Sequence, residues 1–497
     1  MKKLLLFTIS CILAISSCDT FLDVKPTSQA DSKSSIGAIS DADVMMTGIM
    51  RNMLSSSYYG LYMFLYADAK GGDLCVGARG RGYDLLYVFD HAPAAGSYSV
   101  FWGQIYYILA QVNNLVNSID AIIEEGSASD AVVRSFNHVK AQALTVRAIC
   151  YYDLVRLYGK PYDMDKSSLG VPLILEVLDA TAEPTRATVE QIYTQIVSDL
   201  TQAAPLFIQT QRVNGFINYY ANIAMQARVY LQMQNYSGAL TAAEAIINSG
   251  LYTLYSNDTW LSTWSRQFQS ESIFELAVLP TETDQGRGSL GSMINNSDLK
   301  PTYSIYTYYI ASDAFLARLE EDPDDVRLGL MAPDEKSETS FHAGVRNGAC
   351  YKYLGGVNTP GDGKATATAV NVKVIRLSEI YLIAAEAALS TSNRTKAAEY
   401  LQAIRKRAPN LAPATADNIT LKMIQDERSK ELFGEGHRFF DMMRWNESIT
   451  FNDYWAQSPI ITRPETIDRT YYKTILPIDQ NELNANPALV SQQNPGY

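Results

Sequence analysis

Apolar and polar residues along this chain follow helical rather than alternating spacing over most of its readable length. In 188–204, TVEQIYTQIVSDLTQAA, the apolar positions Val189, Ile192, Ile196 and Leu200 recur at intervals of three and four, the mark of one buried helical face. Thr188 and Gln191 stand in capping-box spacing at its start, so the pattern predicts a helix beginning just after Thr188. A second helix is predicted over 138–158, carried by Ala141, Leu144, Ala148, Tyr151, Tyr152 and Val155 and stopped by Gly159 and Pro161. Helices over 219–232 and 237–248 form a pair, joined by the tight turn Gln234-Asn235-Tyr236 and closed by Gly250. The same arrangement returns as 374–389, the turn Ser392-Asn393, and 395–407, and one further helix is predicted over 424–445. Small alanines alternating with large apolar residues suit closely packed antiparallel hairpins, so both pairs look like tetratricopeptide units. Being roughly 150 residues apart, they do not read as a tandem array.

Two stretches break this pattern. Residues 68–99 are rich in glycine and tyrosine, and 281–368 are rich in Gly, Asp, Ser and Tyr, with turn signals at Pro360-Gly361 and Asp362-Gly363. Connections of that length are functional or disordered, and their tyrosine content argues against disorder. The chain start is different again. Lys2 and Lys3 precede an apolar run from Leu4 to about Ile15, too short for the roughly 20 residues of a membrane-spanning helix. Ile15-Ser16-Ser17-Cys18 then resembles a bacterial lipobox, in which cleavage precedes Cys18 and its thiol carries the lipid. Residues 1–17 are therefore expected to be a signal peptide, 18–250 an N-terminal helical region, and 251–497 a C-terminal region containing the loop-rich insert 281–368.

Composition narrows the chemistry. The formal charge is −12, or −14 once Lys2 and Lys3 leave with the leader, and no basic patch is visible, so nucleic acid is not an expected partner. Beyond Cys11 and Cys18, the cysteines Cys75, Cys150 and Cys350 are odd in number and far apart, which implies no disulfide framework. The histidines His91, His138, His342 and His437 are scattered, with no HExxH, and no metal or cofactor is expected. There is no GxSxG, and Gly286, Gly288 and Gly291 make a GxGxxG by letter only, away from any strand-to-helix turn. Catalysis is not expected. Tyrosine, at 32 against 16 Phe and 5 Trp, favours rings with one wet edge, as binding surfaces use. The candidate ligand contacts are Asp73, Arg81, Tyr83 and Tyr87 in the first loop region and Tyr303, Tyr306, Tyr308 and Tyr309 in the second. Core packing is the competing reading for Tyr309, and it is favoured for Trp102; Trp260 and Trp264, at i and i+4, suit either role.

Four segments carry a family likeness: FWGQIYYILAQVNNLVNSID at 101–120 with AQALTVRAICYYDLVRLYGKPY at 141–162, NVKVIRLSEIYLIAAEAAL at 371–389, IQDERSKELFGEGHRFFDMMRW at 424–445, and ILPIDQNELNANPALVSQQNPGY at 475–497. With the Cys-Asp and Phe-Leu-Asp of the opening, they resemble the SusD/RagB family of outer-membrane nutrient-binding lipoproteins of Bacteroidetes. The resemblance implies a mainly α fold, with a tetratricopeptide-like helical scaffold and an irregular, loop-rich ligand-binding face. It also implies lipid anchoring through Cys18 at the outer membrane, cell-surface exposure, and a SusC-like TonB-dependent transporter as partner. The implied ligand is an oligosaccharide, with an oligopeptide or a pure protein-adaptor role as alternatives. Within 424–445 the charges read more plainly as structural ion pairs, Glu435 with Arg438 and Asp441 with Arg444.

Overall fold

Helices stack side by side through both halves of the chain. The computed structural model describes residues 36–76, 85–94, 100–179, 181–208, 210–278, 289–294, 308–334, 346–353, 370–451 and 463–497. The first half contributes α1 (Ile39–Met53), α2 (Tyr62–Gly71), α3 (Val100–Glu125), α4 (Asp130–Tyr158), α5 (Val189–Ala203), α6 (Tyr219–Gln232) and α7 (Tyr236–Ile247). The second contributes α8 (Trp260–Trp264), α9 (Leu290–Ile294), α10 (Asp313–Leu319), α11 (Leu377–Ser390), α12 (Arg394–Arg405), α13 (Leu421–Glu431), α14 (Arg438–Trp445) and α15 (Gln480–Ala485). Each of α3 to α6 packs on the next, and α7 packs on α11, which in turn carries α12 and α13. The mainly α fold expected from the sequence is the one observed, and the capping box at Thr188 and Gln191 forms as expected.

The two tetratricopeptide-like hairpins, distant in sequence, are neighbours in space. Glu244 on α7 accepts a hydrogen bond from the Tyr400 hydroxyl of α12 at 2.7 Å and pairs with Lys396. The scaffold is therefore contiguous, and the loop-rich insert is an excursion from it.

Three expected boundaries move. Helix α4 begins already at Asp130. Val374 to Arg376 belong not to a helix but to a strand, Val372–Arg376, whose residues are all buried. Here the run Val-Lys-Val-Ile suits a pleated surface and pairs with Ser272–Leu276. The single helix expected over 424–445 is two, α13 and α14, separated where Gly434 and Gly436 adopt φ of +77° and +80°. Lys352 closes this break, its Nζ donating to the carbonyls of Glu431 and Phe433 at 2.9 Å each. A Cβ at Gly436 would meet Phe64 Cδ1 at 2.7 Å, so Gly436→Ala combines a left-handed backbone with a clash. The expected outcome is a loss of about 2–4 kcal/mol in denaturant unfolding.

That helix break also redirects the ion pairs. Asp441 and Arg444 pair as expected, at 2.8 Å. Glu435 does not pair with Arg438, because the two no longer share one helical face. Instead Glu435 receives Arg376 Nε and Nη2 at 2.7 Å each and pairs with Lys352, while Arg438 lies 3.3 Å from Asp73. Arg376 is the hub of a buried network, since its Nη1 also donates to Glu271 at 2.7 Å and lies 3.3 Å from Glu431. Arg407 bridges the same two carboxylates, Glu271 at 3.0 Å and Glu431 at 3.2 Å. Trp260 and Trp264 are packed over this network and not exposed, with the Arg407 guanidinium 4.2 Å from the Trp260 ring. Trp102 is core as well, against Tyr158 at 4.9 Å.

Candidate functional site

Strands in this molecule are short, and their pairing places the two loop-rich regions together. Numbered along the chain, they are β1 (Leu74–Val76), β2 (Leu169–Pro172), β3 (Arg186–Thr188), β4 (Ser272–Leu276), β5 (Tyr309–Ala311), β6 (Met331–Ala332), β7 (Ala349–Cys350), β8 (Val372–Arg376), β9 (Ile449–Thr450) and β10 (Thr466–Ile467). β1 comes from the first loop region and β5 from the second, and they pair antiparallel with Leu74 opposite Ala311 and Val76 opposite Tyr309. A second ladder, β6 with β7, abuts this one through the Ala311 N–H, which donates to the Gly348 carbonyl at 2.8 Å. Because the pairing is antiparallel, the chain leaves β1 after Val76 and reaches β5 at Tyr309 on the same end of the ladder. Neither hydrophobic periodicity nor composition links residues this far apart, which is why the sequence shows two regions and the structure one.

Asp73 sits at the head of β1 as an anchor. Its carboxylate accepts from Ser429 Oγ at 2.7 Å, pairs with Arg318 of α10, and lies 3.3 Å from Arg438 of α14. Its carbonyl accepts the Ser312 N–H at 2.9 Å, so one residue ties the ladder to three helices. Tyr87, Tyr308 and Tyr309 are buried, at 0%, 6% and 1% exposure. Tyr87 packs edge-on against Phe451 with centroids 5.4 Å apart, and the Arg463 guanidinium lies 4.6 Å from its ring. Asp73, Tyr87, Tyr308 and Tyr309 are thus built into the support of this face, not presented from it. Arg81, Tyr83, Tyr303 and Tyr306 lie outside the described residues, as does Cys18.

Sequence reasoning missed the pair that holds the second ladder. Arg346 Nε donates to Asp334 at 2.7 Å, and the same guanidinium pairs with Asp313 of α10. The other oxygen of Asp334 is buried without a protein partner among the described residues. Both Arg346 and Asp334 come from segments without periodicity, so no signal marked them. Both carboxylates at the ladder, Asp73 and Asp334, are held in ion pairs with guanidinium groups, which fix them in place. Among the described residues, no group of three His, Cys, Asp or Glu side chains could hold a metal ion.

If Asp73 is an anchor, Asp73→Asn keeps its shape but strands two guanidinium groups. The expected result is a stability loss of about 2–4 kcal/mol with ligand affinity per folded molecule unchanged. Calorimetric titration on the folded fraction separates this from a ligand-contact role, which would lower the affinity.

Residues 333–497 match the family model described as the SusD family, and residues 20–231 match one described as starch-binding, associating with the outer membrane. A SusD-like protein, P25, from Formosa agariphila is 26% identical, with 98% of each chain covered. Among solved structures, a SusD superfamily protein from Bacteroides thetaiotaomicron superposes with a TM-score of 0.82 at 32% identity, covering 92% of this chain and 100% of the other. A putative sugar binding protein from Bacteroides vulgatus does so with 0.81 at 30% identity, covering 93% and 99%.

Proposed function

The chain belongs to the SusD family, and on that premise we propose that it captures oligosaccharides at the cell surface and delivers them to a SusC-like TonB-dependent transporter. The observation that carries the reading is the β1–β5 ladder, which pairs a strand of the first loop-rich region with a strand of the second. In this reading Arg81, Tyr83, Tyr303 and Tyr306 meet the ligand, while Asp73, Tyr87, Tyr308 and Tyr309 hold the face in place. Tyrosine rings stack on the C–H side of a pyranose and keep their hydroxyl in water, adding about 0.5–1.5 kcal/mol per stack by analogy with aromatic pairs. The described carboxylates of the face position side chains, and the protein acts by binding rather than by catalysis.

Membrane attachment is assigned to an acylated Cys18. No described helix is long and apolar enough to cross a membrane, so an acyl anchor is the attachment this reading requires. The outer-membrane association in the family description supports the location.

Isothermal titration of the protein against a panel of neutral oligosaccharides tests the ligand class. The expected outcome is binding by at least one of them, weakened about tenfold or more by Tyr83→Ala with Tyr306→Ala. A silent panel beside binding of oligopeptides would move the assignment to peptide capture. Affinity purification from detergent-solubilised outer membrane should bring down a large barrel protein, and its absence would remove the transporter step.

A further inference from the structure

A groove of about 490 Å³ runs between α6 and α7, within the first tetratricopeptide-like hairpin and away from the ladder residues. Its volume falls inside the roughly 300–1,000 Å³ of small-molecule sites. Gln226 and Tyr230 line it from one stripe of α6, and Ser237, Thr241 and Ala245 face them from one stripe of α7 at spacings of four. Asn235 closes the end at the turn, and every lining residue is uncharged.

Asn235 caps α7 and one side of Tyr230 packs on the core, but the α7 stripe of the groove holds nothing else. The packing faces of the hairpin lie elsewhere: Arg228 of α6 pairs with Glu379, Asn222 donates to Thr145 at 2.9 Å, and Glu244 of α7 serves α12. Ser237, Thr241 and Ala245 are exposed. Gln226 spends its Nε2 on Asn222 Oδ1 at 2.8 Å, which leaves Oε1 to accept. Asn235 spends its Oδ1 on the Gly238 N–H at 3.1 Å, which leaves Nδ2 to donate. Neither of those remaining atoms, nor the Tyr230 hydroxyl, has a protein partner among the described residues. One aromatic ring is therefore flanked by a neutral donor, a neutral acceptor and hydroxyl groups.

We propose that this groove is a second carbohydrate site, taking a single uncharged pyranose unit stacked on Tyr230. The absence of charge disfavours peptide termini and acidic sugars, whereas a ring of hydroxyls matches alternating neutral donors and acceptors. The class of ligand rests on the glycan-binding reading above; the location is independent of it.

Hydrogen exchange on the full chain, with maltohexaose, xylohexaose, mannohexaose or laminarihexaose, tests it against the uncharged tripeptide acetyl-Ala-Ser-Gly-amide. The expected result is protection of 223–245 by at least one hexasaccharide, abolished by Thr241→Trp, which fills the groove from an exposed position. Tyr230→Leu, which keeps apolar bulk without the ring, is expected to weaken that protection at least fivefold. Protection confined to segments flanking β1 and β5 would overturn the groove while leaving the proposed function standing. Protection of 223–245 by the tripeptide alone, or protection that survives Thr241→Trp, would also overturn it. No protection anywhere would overturn both readings.

Discussion

Arg376→Met is expected to lower the unfolding free energy by roughly 3–5 kcal/mol, seen as a reduced denaturant midpoint at unchanged slope. Arg376 is fully buried and meets three carboxylates, Glu271, Glu431 and Glu435, none of which has access to water. Removing the guanidinium leaves those charges with Arg407, Arg327 and Lys352. Arg376→Lys keeps the charge but not the planar fork that reaches Glu435 through two nitrogens, so it is expected to recover only part of the loss. Pairing Arg376→Met with Glu435→Gln should cost less than the sum of the two, because a vacated carboxylate no longer needs a partner. A loss under about 1 kcal/mol for Arg376→Met would show that the network contributes little to folding.

Lowering the pH is expected to withdraw stabilising contributions in two stages. Burial alone would raise Glu379, yet Arg228 and His437 beside it hold its pKa down to about 2 against an ordinary 4.5. Glu431 is likewise held to about 2 by Arg407 and Arg376 against the effect of burial. Their folded values lie below their unfolded ones, so their stabilisation is present above pH 4.5 and is lost as pH falls toward about 2. His437 adds the earlier stage. Burial pushes it down to about 4 from 6.5, so the unfolded chain takes up the proton first and stability declines from pH 6.5 to about 4. Asp68 runs the other way, because burial pushes it up to about 8 despite the Gly436 N–H it accepts. Its stabilisation is complete below pH 3.8 and is lost as pH rises through about 8. Denaturant midpoints across pH 3–9 should therefore fall most steeply below pH 4.5, stay nearly level from 4.5 to 6.5, where the His437 and Asp68 contributions oppose each other, and decline from 6.5 to about 8. His437→Gln should turn the level stretch between pH 4.5 and 6.5 into a fall with rising pH, and Asp68→Asn should turn it into a rise and remove the decline toward pH 8. A level profile from pH 6.5 to 3 would rule this account out.

The scaffold was legible because helices announce themselves locally. Thr188 with Gln191, and the apolar stripe behind them, needed no distant partner to be read. Where a local signal was shared by two structures, the reading slipped. Val374-Ile375-Arg376 continues a helical pattern but is drawn into β8 by pairing with β4, about a hundred residues earlier in the chain. The Gly434 and Gly436 break was visible as two glycines, yet its consequence, Glu435 turning to Arg376, rests on tertiary contacts. The proposed ligand face was legible only as composition. Tyrosine serves a wet rim and a dry core equally well, so the burial of Tyr87 and Tyr309 could not be read from residue type. The pairing of Val76 with Tyr309 has no precursor in the local pattern at all.

The contact between α7 and α11 also sets an order of assembly. Ala239, Ala243 and Ile246 of α7 are fully covered in the finished molecule, and α11 packs against that helix. As the chain emerges from its N-terminus, α7 is complete long before α11 exists, with the whole loop-rich excursion still to come. The first half must therefore wait with an open apolar flank, exposed to misassembly until its C-terminal cover arrives. A chain truncated before α11 should be the aggregation-prone species, and the late closure, with its long-range loop cost, should set the pace of folding.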